Sequence, residues 1–249
     1  MKLGVALALG LAAAAVQANE VESRPPFITT PPEVVERMLE MAATRPEDVV
    51  IDLGSGDGRI VIAAAQKFGA RGLGIELDAA LVQKSRDSAR LANVAERATF
   101  VQGDVLVVDI SRASVVTVYL LPGLMGKLQS RFIRELAPGT RIVSHEFTMA
   151  GWLPDRTETV RLKARHRGQG DESRLHLWIV PADVRGVWRG PGTQLRIEQS
   201  YQRIEVEGAR AATLSGRDIS WDTFKGRVEG NRIVGELAGR RLELERVRK

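Results

Sequence analysis

Val49-Val50-Ile51-Asp52-Leu53-Gly54-Ser55-Gly56-Asp57-Gly58-Arg59 decides how the rest of the chain is read. An apolar run ending in an acid and then in glycines at alternate positions is a buried strand, a tight turn and a helix, here expected over Gly58 to Phe68. Glycine lets the backbone turn, and lets a ligand approach it, where side chains would collide. The dinucleotide pattern G-x-G-x-x-G would put its third glycine at position 59. That position is Arg59, and the third glycine is Gly58. The acid at the strand end, Asp52, would repel a pyrophosphate and welcome an ammonium group.

Working outward, Thr30-Pro31-Pro32-Glu33 supplies a capping hydroxyl, prolines and an acidic first turn, which predicts a helix to about Ala43. Downstream the pattern gives a strand at Gly72–Glu76, a helix at Ala79–Ala92, and a strand at Ala98–Val101 before Gly103-Asp104. A fourth strand at Val115–Leu120, a helix at Leu124–Leu136 and a fifth strand at Arg141–His145 follow. Such alternation predicts an α/β fold: a Rossmann-like parallel sheet with helices on both faces, completed to seven strands by an antiparallel edge pair at Thr157–Ala164 and Leu175–Val180. Ligands of such sheets sit in the crevice outside the carboxyl ends of the strands.

From about Ala182 the pattern changes. Val187-Trp188, Leu195–Glu198, Arg203–Glu207, Arg227–Glu229, Arg232–Gly235 and Leu242–Glu245 alternate apolar with charged residues between Gly-rich turns. Period-two alternation predicts a small antiparallel β-meander, or an open barrel, over residues 182–249, with Trp188, Trp221 and Phe224 as its core. The expected division is a leader at 1–18, a ligand-binding domain at 19–181 and this β module.

Among 249 residues, 44% are hydrophobic and 27% charged, enough to bury a core. The absence of cysteine excludes disulfides and thiolate metal sites, and three histidines, His145, His166 and His176, leave little for a metal centre. Aromatic residues at 5% disfavour a surface that stacks nucleic-acid bases. The net charge of +5 is uneven: residues 1–154 carry 16 basic and 17 acidic side chains, residues 155–249 carry 20 and 14. The positive excess makes the β module a candidate docking surface for an anionic envelope partner.

At the N-terminus, Lys2 precedes an uncharged run from Leu3 to Val16 and a small-residue site, Val16-Gln17-Ala18. This predicts a signal peptide cleaved after Ala18 and a periplasmic or extracellular mature chain. The fourteen-residue run would span about 21 Å as a helix, short of the roughly 30 Å hydrocarbon core, so no stable membrane span is expected.

The D-x-G-x-G-x-G pattern after the first strand resembles motif I of the class I S-adenosylmethionine-dependent methyltransferases. The resemblance implies that Asp52, Gly54, Ser55, Gly56 and Gly58 receive the methionine end of S-adenosyl-L-methionine. It further implies that Glu76 holds the ribose hydroxyls and that Asp104, with Val105, lies at the adenine. Pro26-Phe27-Ile28-Thr29-Thr30-Pro31-Pro32-Glu33-Val34-Val35 together with Val50 to Ile60 is similar to the mitochondrial-type protein-lysine methyltransferases acting on the c-subunit of ATP synthase and the adenine nucleotide translocase. In that family the aromatic-x-x-Thr-Pro element closes over the cofactor, which makes Phe27, Thr29 and Thr30 candidates here. Tyr119, where the family places substrate-side residues, and His145 and Glu146, ending the fifth strand, are the candidates for handling the acceptor's proton. A protein or small-molecule methyl acceptor is expected, and no nucleic acid. The alternative is an exported protein that binds the cofactor or an envelope partner without transferring methyl. A nicotinamide-dependent oxidoreductase is disfavoured by Asp52 and Arg59.

Overall fold

The structure is a computed structural model and describes residues 28–164 and 170–247; Phe27, His166 and the expected leader at 1–18 lie outside them. Its first part alternates as the sequence predicts: α1 (Pro32–Met41), β1 (Val49–Leu53), α2 (Arg59–Phe68), β2 (Arg71–Glu76), α3 (Ala79–Leu91), β3 (Ala98–Gln102), β4 (Val115–Val118), α4 (Pro122–Glu135) and β5 (Arg141–His145). The strands β6 (Arg156–Arg161) and β7 (Glu172–Ile179) follow. The sheet order is β3-β2-β1-β4-β5-β7-β6. Strands β1 to β5 are parallel, and β7 is antiparallel to both β5 and β6.

Side chains alternate across a strand, so each sheet face has its own cover. Val50, Val115 and Val143 pack with α1 and α2. Ile51, Leu53, Val116, Val118 and Ile142 pack with Met125, Leu128 and Phe132 of α4. A third cluster joins α2 and α3 to Phe100 of β3. Asp52, Thr117 and His145 share the parity of Val50, Val115 and Val143, so the face under α1 turns polar toward the carboxyl edge. In the ladder Asp52 lies opposite Gly74 on one side and Thr117 on the other.

One expectation at α1 is corrected. Its N-cap residue is Pro31, with no side-chain cap, and the Thr30 hydroxyl instead meets His145 Nδ1 at 3.2 Å. Pro32 at N1 has no N–H to satisfy, which lowers the need for a cap. At α3, by contrast, a side-chain cap is present: the Asp78 carboxylate accepts from the Ala80 and Leu81 N–H groups.

The C-terminal region is an antiparallel eight-stranded sheet: β8 (Gly186–Gly190), β9 (Thr193–Ser200), β10 (Arg203–Val206), β11 (Ala212–Ser215), β12 (Asp218–Trp221), β13 (Phe224–Glu229), β14 (Arg232–Leu237) and β15 (Arg240–Arg246). The alternation identifies six of these strands; β11 and β12, four residues each with few apolar positions, escape it. The first and last strands of the region pair, giving the order β10-β9-β8-β15-β14-β13-β12-β11 and a curled, nearly closed barrel. A cavity of about 480 Å³ opens beside β10 and the turn into β11. Trp188, Trp221 and Phe224 lie in its core as expected, the last two stacked at 3.9 Å. Among the described residues no helix is long and apolar enough to cross a membrane.

Candidate functional site

The three glycines after β1 are all left-handed, with φ of 79° at Gly54, 54° at Gly56 and 80° at Gly58. The turn is stitched to the end of β2, where the Ile75 carbonyl accepts from both Gly54 and Ser55 N–H groups at 2.9 Å. A Cβ at Gly54 would lie 2.8 Å from Leu120, and one at Gly58 would lie 2.7 Å from the Phe100 ring and 2.8 Å from Ser85. Gly58 therefore serves close packing of α2, α3 and β3 at its Cβ side, rather than opening space for a ligand there. Ser55 is buried and its hydroxyl has no hydrogen-bond partner among the described residues.

Glu76, at the end of β2, holds this turn from the side. Its Oε2 accepts from the Gly56 N–H at 2.9 Å and its Oε1 from the Asp78 N–H at 3.0 Å. Each carboxylate oxygen retains a second lone pair, so a pinned Glu76 can still accept two hydroxyl donors. Asp52 is 3% exposed and its carboxylate accepts from the Thr117 hydroxyl at 2.7 Å. Burial, reinforced by repulsion from Glu76 and Asp57, pushes its pKa up to about 7 although the Thr117 bond opposes this. Burial also raises Asp57, but the Arg59 hydrogen bonds and charge outweigh it and hold the carboxyl below its ordinary range. Arg59 grips Asp57 with two nitrogens, at 2.6 and 2.8 Å, and gives its third to the Thr30 carbonyl at 2.8 Å. The segment before α1 is thereby tied to the glycine turn, with Thr29 partly buried beside Thr30.

Farther along the edge the sites diverge. Asp104 is exposed, and one of its oxygens caps the local turn by accepting from Leu106 N–H at 2.8 Å. Val105 packs against the core on the α4 face, and its carbonyl accepts from the buried Arg131. Tyr119, just past β4, is partly buried with its ring 4.2 Å from that of His145 and 6.1 Å from Phe147. His145 is fully buried, with Nδ1 on Thr30 and Nε2 3.8 Å from Glu146 Oε1. Glu146 adopts φ of 66° and is held by Arg174, whose N–H donates to Oε1 at 3.0 Å.

The structure thus joins Asp52, Glu76 and the glycines in one group. A second group joins Thr30, Tyr119, His145 and Glu146, with Leu120 bridging the two. Arg59 and Thr117 belong to the site although the sequence does not single them out as site residues; Thr117 is found only once strand register is known. His176 is 6% exposed on β7 and bonded to Thr157, with burial lowering its pKa. Among the described residues no cluster of His, Asp and Glu could hold a metal ion.

A 3-2-1-4-5-7-6 sheet with an antiparallel seventh strand, a left-handed glycine turn after β1 and carboxylates ending β1 and β2 define a class I S-adenosylmethionine-dependent methyltransferase. The family model described as the ANTKMT methyltransferase domain matches residues 52–156. The chain is 43% identical to a protein-lysine N-methyltransferase of Saccharolobus islandicus (strain REY15A) over 130 residues, 52% of this chain and 81% of that protein. It is 37% identical to the Homo sapiens lysine N-methyltransferase of the ATP synthase c-subunit over 178 residues, 71% of this chain and 70% of that protein. Against the Xenopus laevis and Mus musculus proteins of that name it spans only 57% and 53% of their length. A crystal structure described as an RNA methyltransferase from Salinibacter ruber in complex with S-adenosyl-L-homocysteine is 48% identical, with a TM-score of 0.57, covering 63% of this chain and 96% of that one. The chain belongs to the family of protein-lysine N-methyltransferases, and its cofactor is S-adenosylmethionine.

Proposed function

We propose that the chain transfers a methyl group from S-adenosylmethionine to the ε-amine of a lysine on a protein partner. The observation that carries this reading is the meeting, at one sheet edge, of a pinned carboxylate and glycine turn with the Tyr119–His145–Glu146 group. The relatives named as lysine methyltransferases support the acceptor class. When bound, the cofactor supplies a methyl group on a cationic sulfur. The residues present fit it: Asp52 and Glu76 make the crevice anionic, and the backbone of Gly54, Ser55 and Gly56 leaves room for close approach. Glu76 has lone pairs for sugar hydroxyls, Asp104 and Val105 would meet the adenine, and Thr29 and Thr30 lie on the segment that Arg59 ties to the glycine turn.

In-line displacement demands alignment more than covalent help. The acceptor amine must arrive neutral, and Glu146, with 28% of its side chain exposed, is the carboxylate on that side that can draw in an ammonium and take its proton. His145, having no exposed surface, acts by holding Tyr119 and Thr30 in place. The test is transfer of tritiated methyl from the cofactor into an extract of the producing cells. Label recovered as methyllysine after acid hydrolysis supports the reading; label confined to the RNA fraction overturns it.

We further propose that the mature chain works outside the cytosol, supported by the Lys2 to Ala18 segment. Material from a periplasmic or culture fraction beginning at Asn19 would bear this out. An intact Met1 found only in the cytosolic fraction would refute it.

A further inference from the structure

The curled C-terminal sheet touches the methyltransferase part at a place that matters for the acceptor. We propose that Tyr201, at the tip of the β9–β10 hairpin, is a positioning residue that fixes the segment walling the acceptor side. The proposal rests on the acceptor reading above, in which Tyr119 and Glu146 face the incoming lysine.

Tyr201 and Gln202 form the two-residue turn between Ser200 and Arg203. Tyr201 sits at φ of 54°, a left-handed conformation that glycine or asparagine adopts with far less strain. A tyrosine kept there implies that its side chain has a task. Its ring lies parallel to Trp152, centroids 5.2 Å apart at 4°. Its hydroxyl accepts from Gln129 Nε2 of α4 at 2.7 Å, and the same nitrogen donates to the Ala150 carbonyl at 2.8 Å. Next to it, Gln202 Nε2 donates to the Leu153 carbonyl at 2.6 Å. One hairpin tip therefore grips residues 150–153 and α4 together.

Those are the elements that leave the sheet after β5 and β4. The segment begins with Glu146 and Phe147, the latter beside the Tyr119 ring, and Ser144 ties the Phe147 carbonyl at 2.6 Å. Its far end is anchored by fully buried Trp152, whose carbonyl accepts from Trp178 Nε1 at 2.9 Å. The hairpin is itself fixed to the connection between the sheets. Gln199 accepts from Val184 N–H at 2.8 Å and donates to the carbonyls of Ala182 and Tyr201, at 2.9 and 2.7 Å. A displacement of the tip would pass through Trp152 to Glu146 and Tyr119. The glycine turn and Glu76, on the opposite flank of β1, share none of these hydrogen bonds or ring contacts among the described residues.

The experiment compares Tyr201→Ala, Tyr201→Phe and Gln129→Leu in the full chain. Three quantities are read: affinity for S-adenosylhomocysteine by calorimetry, amide exchange across residues 146–155, and tritiated methyl transfer into one fixed protein extract. Tyr201→Ala should leave the affinity within about twofold, speed exchange in that segment about tenfold, and slow transfer about ten- to a hundredfold. Tyr201→Phe, which keeps the stack, should stay within about threefold on every readout. Gln129→Leu, which also removes the hydrogen bond that holds the Ala150 carbonyl to α4, should shift exchange and transfer in the same direction as Tyr201→Ala. Unchanged exchange and transfer in Tyr201→Ala overturns the proposal, as does a loss of cofactor affinity that parallels the loss of transfer. If the unaltered chain labels no protein, the acceptor reading fails and the positioning role falls with it, and normal S-adenosylhomocysteine binding would identify that as the cause.

Discussion

Replacing Asp52 by Asn should make the protein more stable and a poorer binder of its cofactor at once. The carboxyl is buried and raised from 3.8 to about 7, chiefly by desolvation and further by Glu76 and Asp57. A folded-state pKa above the unfolded one means that the native state holds the proton more tightly. Its contribution is most favourable below the unfolded value and is lost as pH climbs through about 7. A difference of about three units costs about 4 kcal/mol at about pH 8 and less than 2 kcal/mol near pH 5. The amide stays neutral throughout, and its oxygen can still accept from the Thr117 hydroxyl. The stability margin of Asp52→Asn over the natural chain should therefore widen by about 2.5 kcal/mol between those two pH values. Urea denaturation at each pH measures it. Over the same range the natural chain should bind S-adenosylmethionine more tightly as Asp52 ionises, and the variant should bind it about ten- to a hundredfold more weakly at about pH 8. A margin that stays constant or narrows with rising pH would refute the account of Asp52. Calorimetry giving equal affinities would refute its role toward the cofactor.

Four further outcomes are expected. Gly58→Ala combines a left-handed φ with a Cβ 2.7 Å from Phe100, so it should lose about 2–4 kcal/mol of stability in urea titration. Glu76→Gln replaces one acceptor oxygen by a donor; S-adenosylhomocysteine affinity should fall about tenfold or more by calorimetry, with circular dichroism unchanged. Arg59→Met frees the Thr30 carbonyl and Asp57, so amide exchange at residues 28–30 should accelerate and the KM for the cofactor should rise about three- to tenfold. Arg131 is 8% exposed and satisfies the carbonyls of Val105 and Val108 together with Glu135. Arg131→Met should cost about 3 kcal/mol in chemical denaturation, because buried acceptors then lose their donor.

Much of the fold is readable from the sequence because its signals are local. The glycine turn, the strand-helix alternation and the charged alternation after Ala182 each depend on neighbours within a few residues. What escapes is set by distant partners. Thr30 has the chemistry of a helix cap, yet its hydroxyl goes to His145, 115 residues away, because Pro31 and Pro32 already start the helix. Strands β11 and β12 carry too few apolar residues to announce themselves and exist through pairing with β13 and each other. Asp52 is identifiable as a site residue, but its perturbed carboxyl is not, since that depends on the burial and register that bring Thr117 and Glu76 to it.

The two flanks of the site differ in how they are built, and that difference explains where sequence reading stops. The flank proposed for the cofactor is made largely of backbone: left-handed glycines, the Ile75 carbonyl, and Glu76 held by two N–H groups. Backbone of that kind is encoded by residues in one short stretch, so the stretch is readable. The flank proposed for the acceptor is made of side chains from separate segments, Thr30, Tyr119, His145 with Glu146, and the Trp152 region, and the β9–β10 hairpin of the other sheet packs against that region. No spacing rule links position 201 to position 119. An acceptor preference set there can change by altering the brace while the glycine turn stays as it is, so members of one family can share a cofactor pocket and still act on different partners.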